Sequence, residues 1–339
     1  MKFWIFLISL LLLKCNADIK KDFKLNIFEK SKKFTPYDTL KFNLENKKNH
    51  LIDSVVYRLD GKKINNIHSL NNNQLGIFDL TASVYFSLNK SEYKEKITIV
   101  SPSKPKLYTY KILNEYPHDN SAYTQGLEFY DNRLFESIGL RGKSALKEIE
   151  FKSGEVIRSL TIDDAYFAEG LTLLNKKIYQ LTWQSKIGFI YDLESFELID
   201  SFQYKKSVEG WGLCNNGNLI YKSDGTSKIW IIEPDSLEEI EFIQVTTNKS
   251  IISKINEMEW INGKIYANTY QFNKDIVLII NPKTGSVEGV VDFNGLKKKV
   301  KNHPKIDVFN GIAYNKNSKT IFMTGKNWNK LFELQILKK

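Results

Sequence analysis

A chain of 339 residues, 42% apolar and 26% charged, can bury one or two hydrophobic cores, and this composition excludes intrinsic disorder. Its net charge of +10 is scattered lysine, densest at Lys297-Lys298-Lys299, with no accompanying nucleic-acid-binding module, so it is read as solvated surface and not as a nucleic-acid footprint. Two cysteines, Cys15 and Cys214, exclude a disulfide framework, and the four histidines (His50, His68, His118, His303) are too dispersed for a metal site.

In chain order, residues 1–17 read as an export signal. Lys2 supplies the positive charge, and residues 3–13 form an apolar run too short to span a bilayer. Two readings of its processing stay open. Leu12-Leu-Lys-Cys15 resembles the box that precedes a lipidated cysteine, although Lys14 stands where a small residue is usual. The other reading is cleavage after Ala17, which would release the protein. The first is preferred and predicts an exported bacterial lipoprotein, periplasmic or anchored to the outer membrane through Cys15, with Cys214 left as a buried free thiol.

Residues 18–105 show short alternating runs: Leu40, Phe42, Leu44; Val55, Tyr57, Leu59; Leu80, Ala82, Val84, Phe86; Ile97, Ile99. Each run has one buried face, and the turns between them predict a small β-sandwich of immunoglobulin type. Residues 101–105, Ser-Pro-Ser-Lys-Pro, are expected to be a linker.

From residue 107 to 339 one layout recurs: a polar or aromatic residue, a strand, a turn, a second strand, then two more. The copies start at Gln125, Glu169, Trp211, Asn256 and Asn310, at spacings of 44, 42, 45 and 54. Four short strands every ~40–50 residues is the signature of a β-propeller, here with five blades. Residues 192–195, 233–236 and 281–285 occupy equivalent polar turns, and residues 294–305 form an excursion that explains the longest spacing. In an antiparallel hairpin the start of the first strand lies beside the end of the second. The five starts should therefore ring one mouth of a central channel, with Trp183, Asp224, Tyr270 and Lys326 beside them. A carboxylate, an ammonium, amides and aromatic walls suit a small polar guest bearing positive charge.

From residues alone, Glu169 and Lys326 read either as an acid–base pair or as an ordinary rim salt bridge. Asp224 reads better as a turn carboxylate, and Asn256 and Asn310 as partners for backbone groups. No nucleophile elbow is present, Cys214 lacks a histidine partner, and too few oxygen ligands are available for a calcium-dependent hydrolase.

The strings Tyr123-Thr-Gln-Gly-Leu127, Tyr166-Phe-Ala-Glu-Gly-Leu-Thr-Leu-Leu-Asn175, Gly210-Trp-Gly-Leu213, Ser223-Asp-Gly-Thr-Ser227, Asn256-Glu-Met-Glu259, Asn310-Gly-Ile-Ala313 and Thr324-Gly-Lys326 fall in order across every repeat. With them, residues 107–339 resemble the plant and bacterial glutaminyl cyclases, a five-bladed propeller family. The resemblance implies a glutaminyl-peptide cyclotransferase that turns the N-terminal glutamine of peptides or proteins into pyroglutamate and ammonia. Because the sequence shows no metal-ligand cluster, this activity is expected to need neither metal nor cofactor. The resemblance also implies catalytic roles for Glu169 and Lys326 and substrate contacts from Gln125, Phe167, Trp183, Trp211, Asn256, Tyr270 and Tyr123. Tyr123 and Tyr270 stand where the family often has Phe and Trp, and both keep an aromatic wall. The competing expectation is a non-catalytic propeller that binds peptide amino termini.

Overall fold

The computed structural model describes residues 22–71, 74–271 and 274–339. The expected signal segment and Cys15 lie outside them. Among the described residues every regular element is a β-strand except one 3-10 turn at Lys297–Lys299, which caps the excursion expected at 294–305. The fold is all-β, and it divides into two compact units, with the main break between Ile99 and Val100.

In the first unit a three-stranded sheet (Phe23–Ile27, Thr39–Asn46, Ile67–Ser69) faces a five-stranded one (Lys33–Phe34, Asn89–Ile99, Gly76–Phe86, Ile52–Leu59, Lys62–Ile64). Alternation sets the buried face: Leu40 and Phe42 are buried while Thr39 and Lys41 are exposed. Phe42 meets Tyr57 edge to face at 4.9 Å and Phe23 meets Phe86 at 5.0 Å, each pair bridging the two sheets.

The second unit holds three four-stranded antiparallel sheets and one of eight strands. The four-stranded sheets begin at Thr124–Tyr130, Ala168–Leu174 and Leu213–Asn215 and end at Glu155–Thr161, Leu198–Gln203 and Glu239–Gln244. In the eight-stranded sheet, a set of four runs from Ile255–Ile261 to Val287–Asp292, and a set of three runs from Phe309–Asn315 to Lys330–Lys338. Lys106–Pro117 lies between them, parallel to Val287–Asp292 and antiparallel along the whole of Lys330–Lys338. The five first strands touch their neighbours in a closed cycle. Burial follows this order. Ala168–Leu174 is buried at every position, Glu169 and Thr172 included, whereas Leu198–Gln203, last in the same sheet, exposes all but Phe202.

Residues 101–105 do not behave as a free linker. The Ser101 amide donates to Thr246 Oγ1 (3.1 Å) and its hydroxyl pairs with Ser286 Oγ (2.6 Å), so it is docked within the second unit. Cys214 is a buried free thiol whose pKa burial pushes up.

The first strands approach closely enough to require glycine. A Cβ on Gly212 would lie 2.1 Å from the Asn256 carbonyl oxygen, which belongs to the next sheet's first strand. That obstacle is backbone and cannot swing aside. We therefore expect Gly212→Ala to lower unfolding stability by about 3 kcal/mol or more, the upper end of overpacking costs. A urea midpoint indistinguishable from wild type would show that these strands can separate freely.

Candidate active site

Four of the five first strands carry a register shift at the same place, next to their second residue. It falls at Gln125, between Ala168 and Leu171, between Ile255 and Met258, and between Phe309 and Ile312. A β-bulge leaves its extra residue out of the ladder and re-aims the side chain. Here it turns Gln125, Glu169, Asn256 and Asn310 toward one mouth of the cycle, where they are linked in series. Asn256 Nδ2 donates to Asn310 Oδ1 (3.0 Å), Asn310 Nδ2 to Gln125 Oε1 (3.4 Å), and Gln125 Nε2 to Glu169 Oε1 (3.1 Å).

At this mouth a pocket of about 200 Å³ is lined by Tyr123, Gln125, Phe167, Glu169, Trp183, Trp211, Asn256, Tyr270 and Lys326. All nine residues expected to act at the site line it. Its floor is polar and buried (Gln125, Glu169, Asn256, Lys326) and its walls are half-buried aromatics. At ~30 Å³ per water the volume is about seven waters, room for one amino-acid residue and less than the ~300–1,000 Å³ of drug-sized sites. Larger concavities of about 640 and 820 Å³ lie elsewhere, but neither brings an aromatic cage to a buried carboxylate and ammonium.

The walls interlock. Phe167 meets Trp183 at 5.6 Å and Tyr123 at 6.2 Å, and Trp211 meets Tyr270 at 5.9 Å, all edge to face. Trp183, Tyr270 and Lys326 each stand one residue beyond a second strand and are fixed by backbone bonds, Trp183 to Phe167, Tyr270 to Lys254 and Lys326 to Val308. The Lys326 ammonium lies 4.6 Å from the Tyr123 ring and 5.2 Å from the Tyr270 ring, within cation–π range of both.

Two expected rim residues do not line the pocket. Asp224 accepts from the Thr226 amide (3.0 Å) and from Trp230 Nε1 (2.8 Å), as a turn carboxylate does. Asn310 sits behind the floor, where it accepts from Asn256 and Asn268 and donates to the Thr124 carbonyl at 2.8 Å.

Electrostatics set the two ionisable floor groups apart from ordinary ones. Burial pushes the Glu169 carboxyl well above the usual carboxylate range; the Lys326 charge opposes this and that of Glu209 adds to it. Burial pulls Lys326 below the usual ammonium range, against the attraction of Glu169 and Asp307. The two groups sense each other's charge, but among the described residues neither is in a direct ion pair. A group placed between them would meet a proton acceptor on one side and a cation on the other.

Two residues that the sequence did not single out hold the walls. Asp307 Oδ2 accepts from the Tyr123 hydroxyl at 2.9 Å. Glu209 Oε2 accepts from both indoles, Trp183 Nε1 at 2.6 Å and Trp211 Nε1 at 2.8 Å. Glu209 had a weak signal, since it immediately precedes the Gly-Trp pair that opens the third repeat.

The sequence profile described as Glutamine cyclotransferase matches residues 81–336. The chain belongs to the glutamine cyclotransferase family. It is 36% identical over 229 residues to the glutaminyl-peptide cyclotransferase of Arabidopsis thaliana, covering 67% of this chain and 71% of that protein. The crystal structure of Myxococcus xanthus glutaminyl cyclase is similar with a TM-score of 0.64 at 34% identity, covering 70% of this chain and 100% of that one. The pocket lies wholly within the residues matched by the family profile.

Proposed function

We propose that the protein is a glutaminyl-peptide cyclotransferase that converts the N-terminal glutamine of peptides or proteins to pyroglutamate and releases ammonia. The observation that carries this reading is the pairing of buried Glu169 and Lys326 at the floor of an aromatic pocket sized for one residue. In the reaction the substrate's α-amine attacks its own γ-carboxamide carbon. Nucleophile and electrophile are tethered, so the first task is to hold a near-attack pose, which the rings of Phe167, Trp183, Trp211 and Tyr270 do by enclosing the side chain. The second task is proton movement. An α-amine has a pKa near ~8 and arrives mostly protonated. Glu169 accepts that proton, the C–N bond forms, and the tetrahedral carbon carries an oxyanion that Lys326 neutralises. Glu169 then returns the proton to the departing nitrogen, the C–NH₂ bond breaks, and the ring nitrogen passes its remaining extra proton through Glu169 to the ammonia, which leaves as ammonium. Gln125 and Asn256 orient the substrate by hydrogen bonds. Every proton is carried by the chain's own side chains, so the mechanism proposed is metal-independent.

The same reading covers the architecture. The closed cycle of first strands, each leading a set of four, supports a five-bladed propeller whose last two blades are merged by Lys106–Pro117. The two facing sheets of the first unit support an immunoglobulin-like sandwich. An exported protein tethered through a lipidated Cys15 is the localisation that the N-terminal sequence favours.

The test is ammonia release by the full chain from a Gln-initiated dipeptide, with and without EDTA. Turnover unchanged by EDTA is expected. Binding without ammonia would leave a non-catalytic receptor for amino termini, and loss in EDTA restored by zinc would overturn the metal-free step.

A further inference from the structure

Trp183 and Trp211 come from two different sheets, yet their indole N–H groups converge on one oxygen, Glu209 Oε2. The other oxygen accepts from Gln184 Nε2 at 3.3 Å. Both indoles are only half-buried, and a half-buried tryptophan without a partner for its N–H has several staggered positions open to it. A shared carboxylate leaves one position for each ring and fixes the distance between them.

The segment that carries Glu209 is itself pinned from below. The amides of Lys206 and Ser207 donate to Glu239 Oε2 at 2.8 and 3.0 Å. Beneath them Lys222, 0% exposed, donates to the Glu209 backbone carbonyl at 2.9 Å, to Glu239 Oε1 at 3.3 Å and to the Ser207 hydroxyl. A buried ammonium is costly, and an apolar residue of similar volume would serve a core as well. What this lysine does here is hold the Glu209 backbone in place from within. On the other side the Gly210 amide donates to the Trp183 carbonyl at 3.0 Å, which ties the same segment to the neighbouring sheet.

We propose that Glu209 is a positioning residue: by accepting both indoles it sets the separation of the Trp183 and Trp211 walls, and through them the pose of the substrate's N-terminal residue. This rests on the cyclotransferase reading. Glu209 makes no chemical step of its own, and its charge reaches Glu169 only through space.

Two gentle substitutions separate position from charge. E209Q keeps an oxygen at the same reach and removes the charge. E209D keeps the charge and withdraws the carboxylate by about one C–C bond, ~1.5 Å. Each is assayed at its own pH optimum, so that a shifted Glu169 titration does not masquerade as a changed pose. We expect E209D to lower kcat/KM by about tenfold or more, since misplacement of order 1 Å can cost that much, and E209Q to recover most of the loss. Independently of turnover, the indole N–H resonances of Trp183 and Trp211 in ¹⁵N-labelled protein should move and exchange faster in E209D and stay near their wild-type positions in E209Q. If E209Q falls as far as E209D, if E209D matches wild type, or if the two indole resonances ignore E209D, the proposal is wrong. Absence of ammonia release by wild type would instead refute the activity, and the indole spectra would still decide the role of Glu209.

Discussion

Glu169→Gln is expected to lower kcat for ammonia release by ~100- to 10,000-fold, the range that positioned acid–base groups contribute. The substitution keeps the size of the side chain and its bond from Gln125, but it cannot take a proton from the α-ammonium or return one to the leaving nitrogen. Loss of fold is not the expected cause. Burial raises the Glu169 pKa in the folded state, so this group favours the fold when protonated and opposes it as pH rises above the unfolded value. At pH 7 an uncharged glutamine removes that opposition, and thermal unfolding should begin no earlier than in wild type. Near-wild-type turnover by Glu169→Gln together with a dead Asp224→Asn would show that the carboxylate has been misassigned.

Lys326→Met is the second large effect. A preorganised donor at a developing oxyanion is worth about 100- to 1,000-fold in kcat, and the loss should fall on kcat more than on KM. The pH profile carries a further sign. The Lys326 charge holds the Glu169 pKa down against burial, so removing it should move the acid limb of activity to higher pH, and the alkaline limb due to lysine deprotonation should disappear. If the pair acts as a unit, the double variant loses less than the product of the single losses. An acid limb that stays in place would mean that Lys326 is too far from Glu169 for the two to act on one bound glutamine.

The lining of the pocket was legible because it depends on one rule. The start of a first strand lies beside the end of a second, so repeat spacing alone places Glu169 near Trp183 and locates the mouth. The floor was less legible. Its side chains point inward because of bulges, and a bulge leaves only a faint mark, here a glycine after Gln125, Glu169 and Asn310 but not after Asn256. Glu209 was missed because its partner Trp183 is 26 residues away and in another sheet, and in a one-dimensional reading it looks like any surface glutamate. Residues 101–105 misled for a related reason. Proline and serine predict an irregular path, but they do not say whether that path is docked. The strand Lys106–Pro117 was not foreseen at all, because its two neighbours come from residues 287–292 and 330–338, far along the chain.

That last strand has a consequence for the order in which the molecule is made. Asn114 and Glu333, hydrogen-bonded at 2.8 Å, are 219 positions apart. At ~5–20 residues per second, the early strand waits on the order of ten to forty seconds for its long antiparallel partner to be synthesised. Until then the cycle of sheets has a gap, and two strand edges stand uncovered, open to pairing with another copy of the same chain. The strand Lys330–Lys338 thus acts as a time stamp: no nascent fragment that lacks it can close, however completely its earlier sheets have formed.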